Sequence, residues 1–174
     1  TRKPTFLGPK EFVQYNLAEL VPLIDWTPFF QSWELTGRFP QILDDPKQGE
    51  AARTLYKDAT ALLDQIVKEK WFEARAVIGF WPANAQGDDI VLYKDEARKE
   101  KLATFHTLRQ QMPKRDARPN IALSDFVAPA ETKVPDYMGA FVVTAGIGED
   151  EKADEFKRRN DDYSAILVKA LADR

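Results

Sequence analysis

The sequence predicts an α+β fold: a central twisted, mainly antiparallel sheet flanked by amphipathic helices. Three observations carry that prediction. Apolar residues at Ala52, Leu55, Tyr56, Ala59, Leu62, Leu63, Ile66 and Val67 recur at spacings of three and four, which places them on one helix face. Over residues 76–81 and 90–93 the apolar period falls to two, the pattern of strands. A second helical stripe, Tyr163, Ile166, Leu167, Ala170 and Leu171, returns near the end.

Taken in order, residues 1–15 form an extended arm punctuated by Pro4, Gly8 and Pro9. Asn16 can cap a short helix through Leu17, Leu20, Val21 and Ile24. Asp25 stands where a second helix begins, before Trp26, Thr27, Pro28, Phe29 and Phe30. Proline is tolerated there because the N–H groups of a first turn have no helical partner. Gly37 and Pro40 close this stretch. Asp45 is the expected N-cap of the long helix, with Pro46 at its first position. Lys68 and Lys70 lie near its C-terminus, where the helix dipole favours cations.

A loop over residues 82–89 then joins the first two strands. Thr104, Phe105 and Thr107 turn residues 102–108 toward a third. Residues 112–120 make a polar loop, and residues 121–127 and 137–144 read as extended. Gly146 and Gly148 end the last strand, and residues 149–157 start a helix that is acidic at its front, as the dipole prefers. Asp161 or Asp162 caps the continuation. Its stripe reaches Arg174 with no Gly, Asn or Pro stop, so residues 1–174 are expected to be a single, partial domain cut short at the C-terminus.

Composition narrows the class. A length of 174 residues suits one domain, and 44% apolar residues are enough for a core. No stretch approaches the roughly 18 consecutive apolar residues of a membrane span. The basic start, Thr1-Arg2-Lys3-Pro4, is followed by no apolar h-region, so no signal peptide is expected. Cysteine is absent, which removes disulfides and thiolate metal sites and fits a cytoplasmic protein. The net charge of −3 is spread through mixed runs such as Lys94-Asp95-Glu96-Ala97-Arg98, the signature of a solvated surface. No basic stripe with interleaved aromatics occurs, so nucleic acid is not an expected partner.

Few residues could carry chemistry. His106 is the one histidine, which argues against a Ser-His-Asp or histidine-rich metal site and for a structural role. Gly146-Ile147-Gly148 follows a strand and precedes a helix, but Glu151 stands where a dinucleotide loop needs its third glycine; a turn and helix start is the better reading. The acidic pairs Asp44-Asp45, Asp88-Asp89 and Asp161-Asp162 lack the spacing of a calcium loop and read as caps and a turn. Asp25 is the most informative carboxylate. It lies between Leu23-Ile24 and the aromatic group Trp26, Phe29, Phe30 and Trp33, company in which partial desolvation is expected. Its partner could be the N–H groups of the helix it caps or the ammonium of a small ligand, and two oxygens can serve both.

The wording of the sequence is specific beyond its patterns. Asp25-Trp26-Thr27-Pro28-Phe29-Phe30 is followed by Trp33, Gly37 and Pro40; then come Gly49-Glu50-Ala51-Ala52-Arg53 and Ala74-Arg75-Ala76-Val77-Ile78-Gly79-Phe80-Trp81-Pro82-Ala83-Asn84. Gly87-Asp88-Asp89-Ile90, Leu108-Arg109-Gln110-Gln111, Leu123-Ser124-Asp125-Phe126-Val127-Ala128-Pro129, Asp136-Tyr137-Met138-Gly139-Ala140-Phe141 and a final block from Asp161 to Arg174 continue in order. Together these blocks resemble the reactivation domain of cobalamin-dependent methionine synthase, and they spread across almost the whole chain.

That resemblance implies a domain of a methyltransferase that moves a methyl group from methyltetrahydrofolate to homocysteine through cobalamin. The domain binds S-adenosylmethionine and docks over the cobalamin-binding domain, while a flavodoxin-type partner supplies an electron to reactivate cob(II)alamin. Asp25 is the position that contacts S-adenosylmethionine in such domains, and Glu149 and Asp173 are the positions that could face the cobalamin domain, with helix-end solvation as their structural alternative. Cobalamin and zinc belong to other domains of the intact enzyme. The family's Arg-x-Pro-Ala-Pro-Gly-Tyr-Pro segment does not occur in this chain, so the chain alone is expected to have an incomplete ligand site and no methyl-transfer activity. The alternative is a non-catalytic docking module that contacts the cobalamin domain and the reductase.

Overall fold

A computed structural model describes residues 2–114 and 117–174. Thr1 of the basic start and part of the polar loop over residues 112–120 thus lie outside the described residues. The elements follow in the order β1 (Gly8–Tyr15), α1 (Leu17–Leu20), α2 (Trp26–Ser32), α3 (Gly49–Glu69), β2 (Glu73–Gln86), β3 (Asp89–Tyr93), β4 (Lys101–His106), β5 (Asp136–Ile147), α4 (Glu149–Arg158) and α5 (Asp162–Ala172). Short 3-10 turns occupy Val21–Leu23, Gln41–Asp44, Leu123–Phe126 and Ala130–Thr132. The sheet runs in the order β1-β2-β3-β4, with β5 pairing β2. This is the α+β architecture that the change of period predicts. Among the described residues no helix is long and apolar enough to cross a membrane.

The chain divides into two compact units, Thr1–Glu11 with Val77–Val142 and Phe12–Ala76 with Val143–Arg174. In the first, β2 and β3 form an antiparallel hairpin with Ala83 opposite Leu92 and Gln86 opposite Asp89. Gly87 opens its two-residue turn at φ +62°, the positive φ such turns demand and glycine adopts freely. β4 continues the ladder, pairing Asp89 with His106 and Leu92 with Ala103. Ala83, Ile90 and Leu92 form the apolar centre here, covered by Trp81, Val127 and Met138.

A buried polar network also sits in this unit. Asn84 donates from Nδ2 to the carbonyls of Ala128 and Val134, both at 3.0 Å. Its Oδ1 accepts from Arg98 Nε at 3.0 Å, and Arg98 Nη2 donates to the Asp136 carbonyl at 2.7 Å. The Asp136 carboxylate in turn accepts the Ala128 N–H at 2.9 Å. Every polar group in this chain of contacts thus has a partner, as burial requires.

The second unit is helical at its centre. Phe29, Phe30, Ile42, Ala52, Ala59, Ile66 and Val168 are essentially inaccessible, and α2, α3, α4 and α5 all contribute to the cluster. Aromatic rings meet edge to face within it, Trp26 against Tyr56 at 4.9 Å and against Phe29 at 5.2 Å. Burial of a single phenylalanine contributes about 1.5–3 kcal/mol, so this group dominates the unit's stability.

Several boundaries differ from the sequence reading, each for a local reason. Residues 8–15 of the arm join the sheet as β1. The first helix ends at Leu20 and tightens into the 3-10 turn that contains Pro22. Asp45 does not cap α3; its Oδ1 accepts the N–H groups of Lys47 and Gln48 at 2.8 and 3.0 Å and closes a preceding turn, and α3 starts at Gly49. The expected loop over residues 82–89 is mostly strand: β2 runs through to Gln86, and Pro82 precedes the β2–β3 ladder, so its missing N–H costs that ladder no rung. Residues 121–127 are not extended throughout: Asp125 Oδ2 accepts the Ala122 N–H at 2.9 Å and curls Leu123–Phe126 into a 3-10 turn. The last strand passes through Gly146 and ends at Ile147.

Candidate functional site

Asp25 lies in the second unit, at the N-terminus of α2. Its backbone is extended, φ −81° and ψ 102°, and its Oδ1 accepts the Thr27 N–H at 3.0 Å. The carboxylate therefore caps α2, one of the two roles open to it in the sequence. The expected desolvation does not occur. Trp26, Phe29 and Phe30 turn inward and are buried, whereas Asp25 is exposed, because a helix start directs the cap residue outward as its successors enter the core.

The surroundings of Asp25 are well fixed. Thr27 Oγ1 accepts the Phe39 N–H at 3.2 Å, which ties the first turn of α2 to the loop before Pro40. The Phe39 ring stacks on Phe30 at 6.1 Å and meets Tyr56 at 5.2 Å. The far end of this loop is held by Gln48, whose side chain accepts from the Thr36 N–H at 3.0 Å and donates to the Thr36 carbonyl at 2.6 Å. Beside this segment lies a cleft of about 360 Å³, with Ile24, Trp26, Phe39, Tyr56, Thr60 and Asp64 in its wall. An exposed carboxylate on so rigid a base has the charge and the spare lone pairs to receive a cation.

Glu149 and Asp173 fall at helix ends in the same unit. Glu149 is the first residue of α4, half-exposed in an acidic first turn with Asp150 and Glu151. Asp173 is the exposed C-cap of α5, its N–H directed to the Lys169 and Leu171 carbonyls. Lys169 joins the two helices through Asp150, Nζ to Oδ1 at 2.5 Å, and that hydrogen bond, with a smaller contribution from the neighbouring Glu149, raises the pKa of its ammonium. Gly148 precedes Glu149 at φ +105°, and a Cβ there would stand 2.6 Å from the Trp71 carbonyl oxygen; Gly146-Ile147-Gly148 is the strand end and helix start the sequence suggests.

The other candidates resolve into structure. His106 is exposed on β4, its Nδ1 3.0 Å from Asp89 Oδ1. Asp161 caps α5 by accepting the Ser164 N–H at 3.0 Å, and that bond holds its carboxyl below the usual carboxylate range. Among the described residues no group of three or more His, Cys, Asp or Glu is placed to hold a metal ion. What the sequence reading missed is the polar clamp around Arg109, which binds Asp88 and Asp125 together. All three residues stand in blocks that carry the family resemblance, a signal of importance that says nothing of mutual contact.

Comparison with known proteins gives the same answer for the fold and the family. The chain is similar, at 46% sequence identity and a TM-score of 0.90, to a crystal structure of the MetH reactivation domain bound to AdoHcy. The match covers 98% of this chain and 52% of that one, so the chain spans about half the length of the solved relative. Residues 16–174 match the family described as vitamin B12 dependent methionine synthase, activation domain, and the chain belongs to that family.

Proposed function

We propose that this chain contributes to a domain that binds S-adenosylmethionine and presents it to cobalamin on a neighbouring domain, supporting the reductive methylation that reactivates cob(II)alamin in methionine synthesis. The single observation that carries the ligand part of this reading is the AdoHcy held by the solved relative at 46% identity, since S-adenosylmethionine shares that molecule's amino acid and adenosyl portions.

Asp25 is the residue of this chain proposed to meet the ligand. A carboxylate with one oxygen in a helix cap and an exposed side chain suits the α-ammonium of S-adenosylmethionine, because a charge-assisted hydrogen bond fixes orientation as well as adding affinity. The ligand supplies a methyl group on a sulfonium, and the contribution of the protein is to hold that methyl in line with its acceptor. Asp25 anchors the amino acid end, away from the reacting atoms, and is not itself a catalytic residue. Glu149 and Asp173 are proposed to face the cobalamin-binding domain, and a flavodoxin-type protein is proposed as the electron donor. The chain by itself is expected to show no methyl transfer.

The reading is tested by calorimetry of S-adenosylmethionine binding to the domain at the full length of its solved relative, wild type beside Asp25→Ala. Affinity is expected to fall by about 1–3 kcal/mol in the variant, the value of a hydrogen bond to a charged group. Thermal melting of both proteins comes first, because removal of the cap costs about 1 kcal/mol of stability. A well-folded wild-type domain that binds no S-adenosylmethionine would overturn the reading and leave the docking module as the better account.

A further inference from the structure

We propose that Thr27 is a positioning residue for Asp25, which it holds ready for the ligand's ammonium through its two backbone and side-chain hydrogen bonds. The inference rests on the reading that Asp25 meets S-adenosylmethionine, and it names a residue that acts through Asp25 without touching the ligand.

The geometry is specific. The Thr27 N–H donates to Asp25 Oδ1 at 3.0 Å, so one oxygen of the carboxylate is fixed and the other is available to a cation. The Thr27 hydroxyl accepts the Phe39 N–H at 3.2 Å. Phe39 belongs to a loop fastened by the Gln48 side chain at Thr36 and by the Leu35 N–H on the Phe30 carbonyl at 3.0 Å. Its ring is packed against Phe30 and Tyr56. Thr27 therefore couples the exposed Asp25 side chain to the loop and the core.

The consequence concerns binding more than folding. An exposed aspartate free to rotate must be immobilised when it pairs with a ligand, and that immobilisation subtracts from affinity. With Thr27 in place the carboxylate is ordered beforehand. Valine at this position keeps the shape and the N–H but removes the acceptor for Phe39, so the first turn of α2 loosens and the carboxylate loses its fixed orientation. Serine keeps the hydroxyl and should keep the function.

The test is a mutant cycle on S-adenosylmethionine affinity in the same full-length domain. Thr27→Val is expected to weaken binding about tenfold, roughly 1.4 kcal/mol, while Thr27→Ser stays within about twofold of wild type. In an Asp25→Ala background, Thr27→Val should add nothing further, with Asp25→Asn as the background if the alanine variant binds too weakly to measure. Binding by Thr27→Val equal to wild type would overturn the proposal, as would a loss of the same size with and without Asp25, the mark of a purely structural residue. An Asp25→Ala variant that binds as wild type does would instead remove the Asp25 reading itself, and this inference with it.

Discussion

Arg109 grips the Asp125 carboxylate with both ends of its guanidinium, Nη1 to Oδ2 at 2.6 Å and Nη2 to Oδ1 at 2.7 Å. The same guanidinium reaches Asp88 Oδ1 in the hairpin turn at 2.6 Å and the Asn120 carbonyl at 2.8 Å. One cation thus fastens the segment after β4 and the 3-10 turn at Leu123–Phe126 to the tip of the β2–β3 hairpin. The forked, planar donor set explains why arginine fills this position, since lysine could not span two carboxylates in one plane.

Acid should release this clamp. Hydrogen bonding from Arg109, then from the Ala122 N–H, lowers the Asp125 carboxyl from 3.8 to about 2. A carboxyl depressed in the folded state contributes stability that is complete above its unfolded value and is lost as pH falls toward the folded one. The urea midpoint should therefore decline between pH 3.8 and about 2, and Arg109→Leu should remove that part of the decline. Coincident acid profiles for the variant and wild type would show that solvent screens the pair, which is partly exposed, into irrelevance.

Asn84 offers a larger effect because it is buried. It is 4% exposed, and its amide serves the Ala128 and Val134 carbonyls and Arg98 at once. Asn84→Ala leaves the Val134 carbonyl and a guanidinium N–H without that partner, while the Ala128 carbonyl keeps the Ala85 N–H at 3.0 Å, and each unsatisfied group costs about 1–3 kcal/mol. A loss of about 3 kcal/mol in denaturant unfolding is expected, with the relaxation of Arg98 toward solvent limiting it. A loss below about 1 kcal/mol would mean that the network is remade without the amide.

Asn84 also marks the limit of what the sequence discloses. The helices announce themselves: the stripe from Ala52 to Val67 and the Asp25 and Asp161 caps all act over a few residues, and all appear in the structure. Pro82-Ala83-Asn84 suggests a loop by its local chemistry, yet the chain stays extended because the Asn84 amide is satisfied from residues 44 and 50 positions away. Asp125 behaves alike, its turn set by Arg109 as much as by its neighbours. Contacts that close over such separations leave no periodic trace. For Asp25 the cap was legible, but the exposure was not, because flanking apolar residues say how much is buried and not which side chain turns outward.

Tyr163 gives a prediction at the alkaline end. Its hydroxyl donates to Asp58 Oδ2 at 2.9 Å, and burial first, then the Asp58 carboxylate, push the phenol up from 10.0 to about 12. A group whose folded pKa is raised stabilises the fold below its unfolded value and loses that contribution as pH rises between the two. Stability should therefore fall from pH 10.0 to about 12, and Tyr163→Phe should flatten the fall. In carbon-labelled tyrosine NMR, Asp58→Asn should move the Tyr163 titration back toward 10.0. A titration unmoved by that change would assign the shift to burial alone.

Two glycines separate backbone strain from steric exclusion. Gly87 adopts φ +62° with open space where a Cβ would go, so Gly87→Ala faces only the left-handed penalty, about 1 kcal/mol. Gly148 adopts φ +105°, outside the region alanine visits, and a Cβ would lie 2.6 Å from the Trp71 carbonyl oxygen. That oxygen is backbone and cannot swing aside, so relief requires the start of α4 to move away from the segment between α3 and β2. Gly148→Ala should therefore cost at least about 2 kcal/mol more than Gly87→Ala in paired urea titrations, since strain and clash add. Similar losses for the two variants would show that the start of α4 yields to a methyl group, and that Glu149, fixed by this junction, is less firmly placed than the geometry implies.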